Sequence, residues 1–302
     1  MWSGYFMKIL IALTSCFFIF SLCGCSGLYY YPDSYMYYDP QKLPVTPRQI
    51  ELQDQQGRKI VGWYFQNKRQ VPPKARILFF HGNAQNISSH FVSLFWILEH
   101  DYDYFIFDYP GYGGSEGEPN RDSVVEASIA ALTWIHQQKP QVPVAVFGQS
   151  LGGNISLYTV ARYQKEWPIC QVTVDSTFYS YPEVAKTILA DSWWTWALQW
   201  MPYVLVSNAK SASENLEDVA PTPLIVLHGD KDRNVRIQNG RRVFSKAKEP
   251  KEFWLVPDGG HIDAFTGPQK EVFQKKYVQA LQRDCADPQR RPSKQTKQDS
   301  KL

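Results

Sequence analysis

The 302-residue sequence has little of what several specialised protein classes require. Its five cysteines show no paired spacing of the kind that holds zinc, so no metal is expected. No organic cofactor is expected either. The net charge is only +3, and no basic stripe is interleaved with aromatic residues, so nucleic acid is not an expected partner. No internal repeat is visible, which argues against a solenoid or propeller. The N-terminal apolar run from Ile9 to Leu22 falls short of the roughly 20 residues that a bilayer span needs. What the chain does have is 44% hydrophobic and 15% aromatic residues, over a length that can bury a large core as one domain or two.

The short apolar run suits the central region of an export signal. Lys8 precedes it, and it ends in Leu22-Cys23-Gly24-Cys25-Ser26. Small residues before a cysteine resemble the bacterial lipobox, in which cleavage leaves a lipidated cysteine as the first mature residue. By that resemblance residues 1–24 are removed and Cys25 carries lipid. The protein is then exported and membrane-anchored. Ser26, rather than Asp, favours the outer membrane where the cell has one. Cys25→Ser is expected to move the protein from the membrane pellet to the soluble fraction on sedimentation; a variant that still pellets would remove this reading. Of the other cysteines, Cys170 looks like a buried strand residue and Cys285 lies in a polar tail. They could pair in an oxidising compartment, but two free thiols are the expectation.

A Tyr-rich linker follows the anchor, over residues 25–45. It is read as an extended lead-in across the body, with a place at the lipid headgroup level as the alternative. The body, residues 46–282, then alternates strand and helix. Ile50-Glu51-Leu52 and Ile60 to Phe65 form a hairpin around Gln56-Gly57. Continuous apolar strands are predicted at Ile77–Phe80, Tyr104–Phe107, Val144–Phe147, Val172–Val174, Leu224–Leu227 and Phe253–Val256. Amphipathic helices lie between them. One, carrying Phe91 to Leu98, is capped by Ser88 or Ser89, and the last ends near Leu281. Strands apolar on both sides and separated by helices indicate an α/β fold with a mostly parallel central sheet covered on both faces. Residues 182–216 interrupt the rhythm. They read as a short helical cap whose tryptophans, Trp193, Trp194, Trp196 and Trp200, pack between cap and sheet. The basic tail 283–302 is expected to be disordered.

Gly148-Gln149-Ser150-Leu151-Gly152 sits between a predicted strand and a predicted helix. Glycines on both sides of the serine permit a very tight turn that pushes Ser150 Oγ out of the fold. They also leave the Leu151 N–H at a helix start, where it can meet an oxyanion. A serine hydroxyl needs a base, and the base needs a carboxylate. On a parallel sheet these follow in the order serine, acid, histidine. Of six histidines, His228 and His261 follow Ser150. His228 ends a buried strand and is read as ordering the next loop. His261, in Pro257-Asp258-Gly259-Gly260-His261, is read as the base. Asp232 is favoured as the acid, with Asp230 and Asp175 kept as alternatives. His81-Gly82-Asn83 follows the first central strand and supplies a second oxyanion donor, the Asn83 N–H. The His81 side chain is read as fixing that loop. Asp108 to Gly117 is read as a structural loop behind the site, with Tyr109 or Tyr112 as alternative pocket residues.

Together, His81-Gly82-Asn83, Asp108 to Gly117, Gly148 to Gly152, the Asp232 loop and Gly260-His261 resemble the α/β-hydrolase fold family over roughly Gln49 to Leu281. The branch it most resembles is the small, membrane-associated one of thioesterases, depalmitoylases, lysophospholipases and serine-aminopeptidase-like proteins. Two departures stand out. Arg236 is found where that branch often has proline, and Asn120-Arg121 where it often has Ser-Glu. The resemblance implies a serine hydrolase acting on an ester or thioester of a small amphiphilic or acyl-containing substrate. An amide hydrolase of the same fold is the alternative within the class, and an inactive lipid-anchored scaffold is the one outside it. Nothing in the sequence calls for a second copy of the chain.

Overall fold

The computed structural model describes residues 29–190 and 193–286. Cys25 and the expected export signal lie outside them, as does the tail beyond Ala286.

Eight strands form one sheet: β1 (Arg48–Gln53), β2 (Lys59–Phe65), β3 (Arg76–Phe80), β4 (Asp103–Phe107), β5 (Val144–Gln149), β6 (Gln171–Asp175), β7 (Leu224–Gly229) and β8 (Lys251–Val256). Their spatial order is β1-β2-β4-β3-β5-β6-β7-β8. β2 runs antiparallel to both its neighbours, and every other pairing is parallel. The helices are α1 (Arg121–Gln138), α2 (Leu151–Tyr163), α3 (Tyr181–Ala190), α4 (Pro202–Leu205), α5 (Ile237–Lys246) and α6 (Lys270–Cys285), with shorter helical turns between.

The apolar strands owe their continuity to burial on both faces. Leu78, Phe80, Val144 and Val146 pack on the side of α1 and α2. Their alternates Ile77, Phe79, Ala145 and Phe147 pack with Phe91, Leu94, Phe273 and Tyr277 on the other. Side chains alternate across a strand, so two hydrophobic clusters share each central strand.

Several local expectations change. The segment after β3 is a series of single turns, Ile87–His90, Val92–Phe95 and Trp96–His100, in place of one helix. Its N-cap is Asn86, not Ser88 or Ser89. The Asn86 side chain accepts from the Ser88 N–H at 2.9 Å, and the Ser88 hydroxyl is itself bound to that oxygen at 2.6 Å. Asn120 caps α1 reciprocally with Ser123, both bonds at 2.9 Å, which gives its departure from the family pattern a local role.

The cysteine expectation is corrected. Cys170 and Cys285 form a disulfide with Cα atoms 5.1 Å apart. The helix read as ending near Leu281 continues as α6 to Cys285, so Arg283 to Cys285 belong to it and not to the tail. Beside the disulfide, Gln171 donates to buried Asp284 at 2.9 Å, which docks the end of α6 on the start of β6. Closing a loop with a sequence separation of 115 contributes about 5 kcal/mol in the chain-entropy account.

The lead-in packs across the body. Tyr29 and Tyr30 are buried, and Tyr31–Pro32 pairs in parallel with Ala84–Gln85. The segment read as a cap contains α3, a turn at Trp196–Leu198, α4, and turns at Ala212–Glu214 and Leu216–Val219. Its tryptophans do not pack against the sheet. All four are exposed, and Trp193 stacks on Trp194 with centroids 3.6 Å apart.

Candidate active site

Ser150 stands between β5 and α2 with φ 53° and ψ −118°, a conformation that L residues rarely adopt. The turn is over-determined by its neighbours. A Cβ on Gly152 would lie 2.2 Å from the Phe80 carbonyl oxygen and 2.3 Å from that of His81. A Cβ on Gly148 would lie 2.5 Å from Ser156 Oγ. Any side chain at either place would push α2 off the sheet. The Ser150 N–H donates to the Asp175 carbonyl at 2.9 Å, and Thr177 Oγ1 donates to the Ser150 carbonyl at 2.8 Å. Strain of this kind costs on the order of 1–3 kcal/mol and tends to collect at functional positions.

His261, in the loop after β8, meets Asp232, in the loop after β7: His261 Nδ1 and Asp232 Oδ2 are 2.8 Å apart. Asp232 Oδ1 accepts from the Asn234 and Val235 N–H groups, each at 2.9 Å. Burial pushes this carboxyl up. The hydrogen bond and charge of His261, the Val235 N–H and His228 pull it down further, so on balance it lies below the usual aspartate value. Asp230 is exposed. His228 bonds the Val235 carbonyl through Nε2 at 2.7 Å and so orders the loop, as its position suggested. Among the described residues the Ser150 hydroxyl has no hydrogen bond to His261.

Asp175, the third candidate acid, lies beside this pair but does not bond His261. It is buried, and Ser176 Oγ reaches its Oδ1 at 3.2 Å. Burial pushes it up to about 7, while the nearby His261 pulls it down. An unfolded aspartate titrates near 3.9. Between about pH 4 and 7 the folded chain therefore holds a proton that the unfolded chain has lost. Stability then falls as pH rises through that window and levels off above it. Asp175→Asn is expected to remove up to one proton from the slope, about 1.4 kcal/mol per pH unit. Urea melts across the window measure this, and identical slopes would contradict it.

Gly82, Asn83 and Leu151 border the cavity on which Ser150 opens. The peptide between Gly82 and Asn83 is held by its carbonyl: the Gly82 oxygen lies 2.8 Å from His81 Nδ1. A trans peptide places N–H opposite C=O, so this bond turns the Asn83 N–H away from His81. Tyr109 and Tyr112 do not border the cavity. Tyr109 donates to the His81 carbonyl at 3.0 Å, and Tyr112 to the Asn83 carbonyl at 2.7 Å. They brace the loop from behind, in keeping with the structural reading of Asp108 to Gly117. Burial, with His90 adjacent, holds the His81 imidazole well below its ordinary value and therefore neutral.

The cavity encloses about 800 Å3 and bears both Ser150 and His261 on its wall. Its other side is aliphatic and comes from the cap, including Val184, Leu189, Met201 and Leu205. Among the described residues, no group of three or more His, Cys, Asp or Glu could hold a metal ion.

Comparison with known proteins bears on the fold. Residues 75–197 match the family model of the alpha/beta hydrolase fold. The uncharacterized protein YfhR of Escherichia coli K12 is 31% identical over 256 residues, which covers 83% of this chain and 85% of that protein. This chain is an alpha/beta hydrolase. The lysophosphatidylserine lipase ABHD12 of Macaca fascicularis is 29% identical over 187 residues, 59% of this hydrolase and 47% of the lipase. Among solved structures, the Pyrococcus furiosus esterase Pf2001 superposes with a TM-score of 0.66 at 17% identity, covering 85% of this hydrolase and 98% of the esterase.

Two parts of the hydrolase site were missed in the sequence. His90 borders the cavity, with Nε2 2.9 Å from the Ala84 carbonyl. Tyr29 and Tyr31 bring the lead-in into the cavity wall. Both lie before Ser150, outside the stretch that chain order directs attention to. The pairing of Tyr31 with Ala84 is a contact between distant segments.

Proposed function

We propose that this hydrolase cleaves acyl esters or thioesters by a Ser-His-Asp mechanism. The observation that carries this reading is the cavity, about 800 Å3 with a mostly aliphatic wall that meets Ser150 and His261. Ser150 Oγ attacks the acyl carbonyl carbon while His261 Nε2 takes its proton. Asp232 holds the Nδ1–H and stabilises the imidazolium. The Leu151 and Asn83 N–H groups receive the oxyanion; one such donor is typically worth about 2.7–4 kcal/mol. The bond to the alkoxide or thiolate then breaks, and His261 protonates that leaving group. Water, deprotonated by His261, attacks the acyl-enzyme and releases the carboxylic acid. A relative named as a lysophosphatidylserine lipase and a fold neighbour named as an esterase support this class of substrate. Lipid on Cys25, proposed from the lipobox resemblance, would hold the enzyme at a membrane on the exported side. An aminopeptidase would need an acidic group for the substrate amine, and no Asp or Glu is among the described residues that border the cavity.

A series of p-nitrophenyl esters from acetate to palmitate, run beside aminoacyl anilides, tests the proposal. A buried methylene is worth about 0.8 kcal/mol, so kcat/KM is expected to rise up to about fourfold per methylene until the cavity fills. A preference for acetate, or faster cleavage of the anilides, would overturn it.

A further inference from the structure

The cap carries a second apolar surface that the cavity does not use. Trp193 and Trp194 are each 74% exposed, Val204 68%, Trp196 66% and Trp200 59%. Tyr203 is exposed beside them. Soluble surfaces seldom gather large apolar side chains so densely, and where they do, the patch marks an interaction site. From Trp193 to Val206 there is no charged side chain. The same short segment is apolar on its inner side as well, since Leu198, Met201, Pro202, Leu205 and Val206 border the cavity.

We infer that this face docks on the interfacial region of a phospholipid bilayer. Three observations favour lipid over a protein. Part of its backbone is already paired internally: the Leu198, Met201, Val204 and Leu205 N–H groups donate to carbonyls three or four residues back, at 2.9–3.0 Å. A segment entering lipid needs this, because lipid offers no hydrogen-bond partners. Its composition, four tryptophans and a tyrosine around aliphatic residues, is that of the headgroup boundary, where amphipathic rings settle. Its rim carries a cation, Lys186, whose Nζ lies 5.8 Å from the Tyr203 ring centroid, within reach of lipid phosphate. Docking therefore sets the outer face of the cap in the headgroup layer and leaves the cavity, behind the cap's inner face, next to the membrane surface. The docking itself does not depend on the proposed reaction; its use for drawing a lipid substrate into the cavity does.

The test uses the full chain and vesicles of phosphatidylcholine with phosphatidylglycerol, carrying bromine either near the headgroup or near the chain end. Four of the ten tryptophans lie in this face, so up to about two-fifths of the emission is expected to be quenched, more by the shallow bromine than by the deep one. A variant with Trp193, Trp194, Trp196 and Trp200 changed to serine keeps Trp2 and the whole N-terminus. It is expected to lose this quenching while still cleaving a short soluble ester. Val204→Asp puts a charge into the face without removing a ring and is expected to weaken vesicle binding several-fold. This second variant serves if the fourfold change does not fold. Ser150→Ala should dock as the wild type does, so failure of the reaction and failure of docking are read separately. Equal quenching of wild type and variants would overturn the inference. So would a blue shift that needs only rising protein concentration in lipid-free buffer, which would make the face a contact between protein copies.

Discussion

Ser150→Ala is expected to lower kcat for ester hydrolysis by about 10^6-fold and to abolish labelling by a fluorophosphonate probe. The size of the effect follows from what the hydroxyl does in the proposed mechanism. It forms the covalent bond, so the histidine and the oxyanion donors have nothing to act on without it. The fold should not notice. Among the described residues the hydroxyl has no hydrogen bond, and alanine keeps the Cβ already accommodated at φ 53°. Thermal stability is expected to stay within roughly 0.5 kcal/mol of wild type. A Ser150→Ala protein that still turned over, or a folded wild type that took no label, would return the chain to the inactive-scaffold reading.

Asp232→Asn is expected to cost about 10^4-fold in kcat, for a reason specific to this loop. Asp232 Oδ1 accepts two backbone N–H groups, from Asn234 and Val235. An asparagine has to present its carbonyl oxygen there, so its NH2 group faces His261. The imidazole must then accept at Nδ1 and carry its proton on Nε2, the nitrogen that should take the proton of Ser150. The site would keep its shape with the wrong tautomer. The control is Asp175→Asn, which changes the neighbouring buried carboxyl without touching the His261 bond. A large loss in that variant and a small one in Asp232→Asn would transfer the acid role to Asp175.

Much of the fold was legible because the relevant physics is local. A strand buried on both faces has to be apolar at consecutive positions, and Ile77–Phe80 and Val144–Phe147 show this directly. The turn at Ser150 was legible because its stereochemistry admits no side chain at Gly148 or Gly152. The structure brings His261 and Asp232 together, and Gly82, Asn83 and Leu151 to the same cavity. Asp230 and Asp175 stayed open in the sequence, since each also sits at a strand end. Only the approach of the two loops separates them.

The errors lie where distant segments meet. Cys170 and Cys285 looked unpaired because α6 appeared to stop before Cys285, and its last turn is held by Gln171, far away in the chain. The cap tryptophans looked like packing residues because an apolar side chain is by default an inward one. Whether it faces inward depends on the turns that aim it, at Trp196–Leu198 and Pro202–Leu205. The sequence by itself determined the sheet, the strained serine turn and the chain order of the reactive groups, all consequences of backbone stereochemistry and periodic burial. The tertiary structure decided which carboxylate meets the imidazole, which cysteines join and which side of the cap faces solvent. These are distances between segments, and no local pattern encodes them.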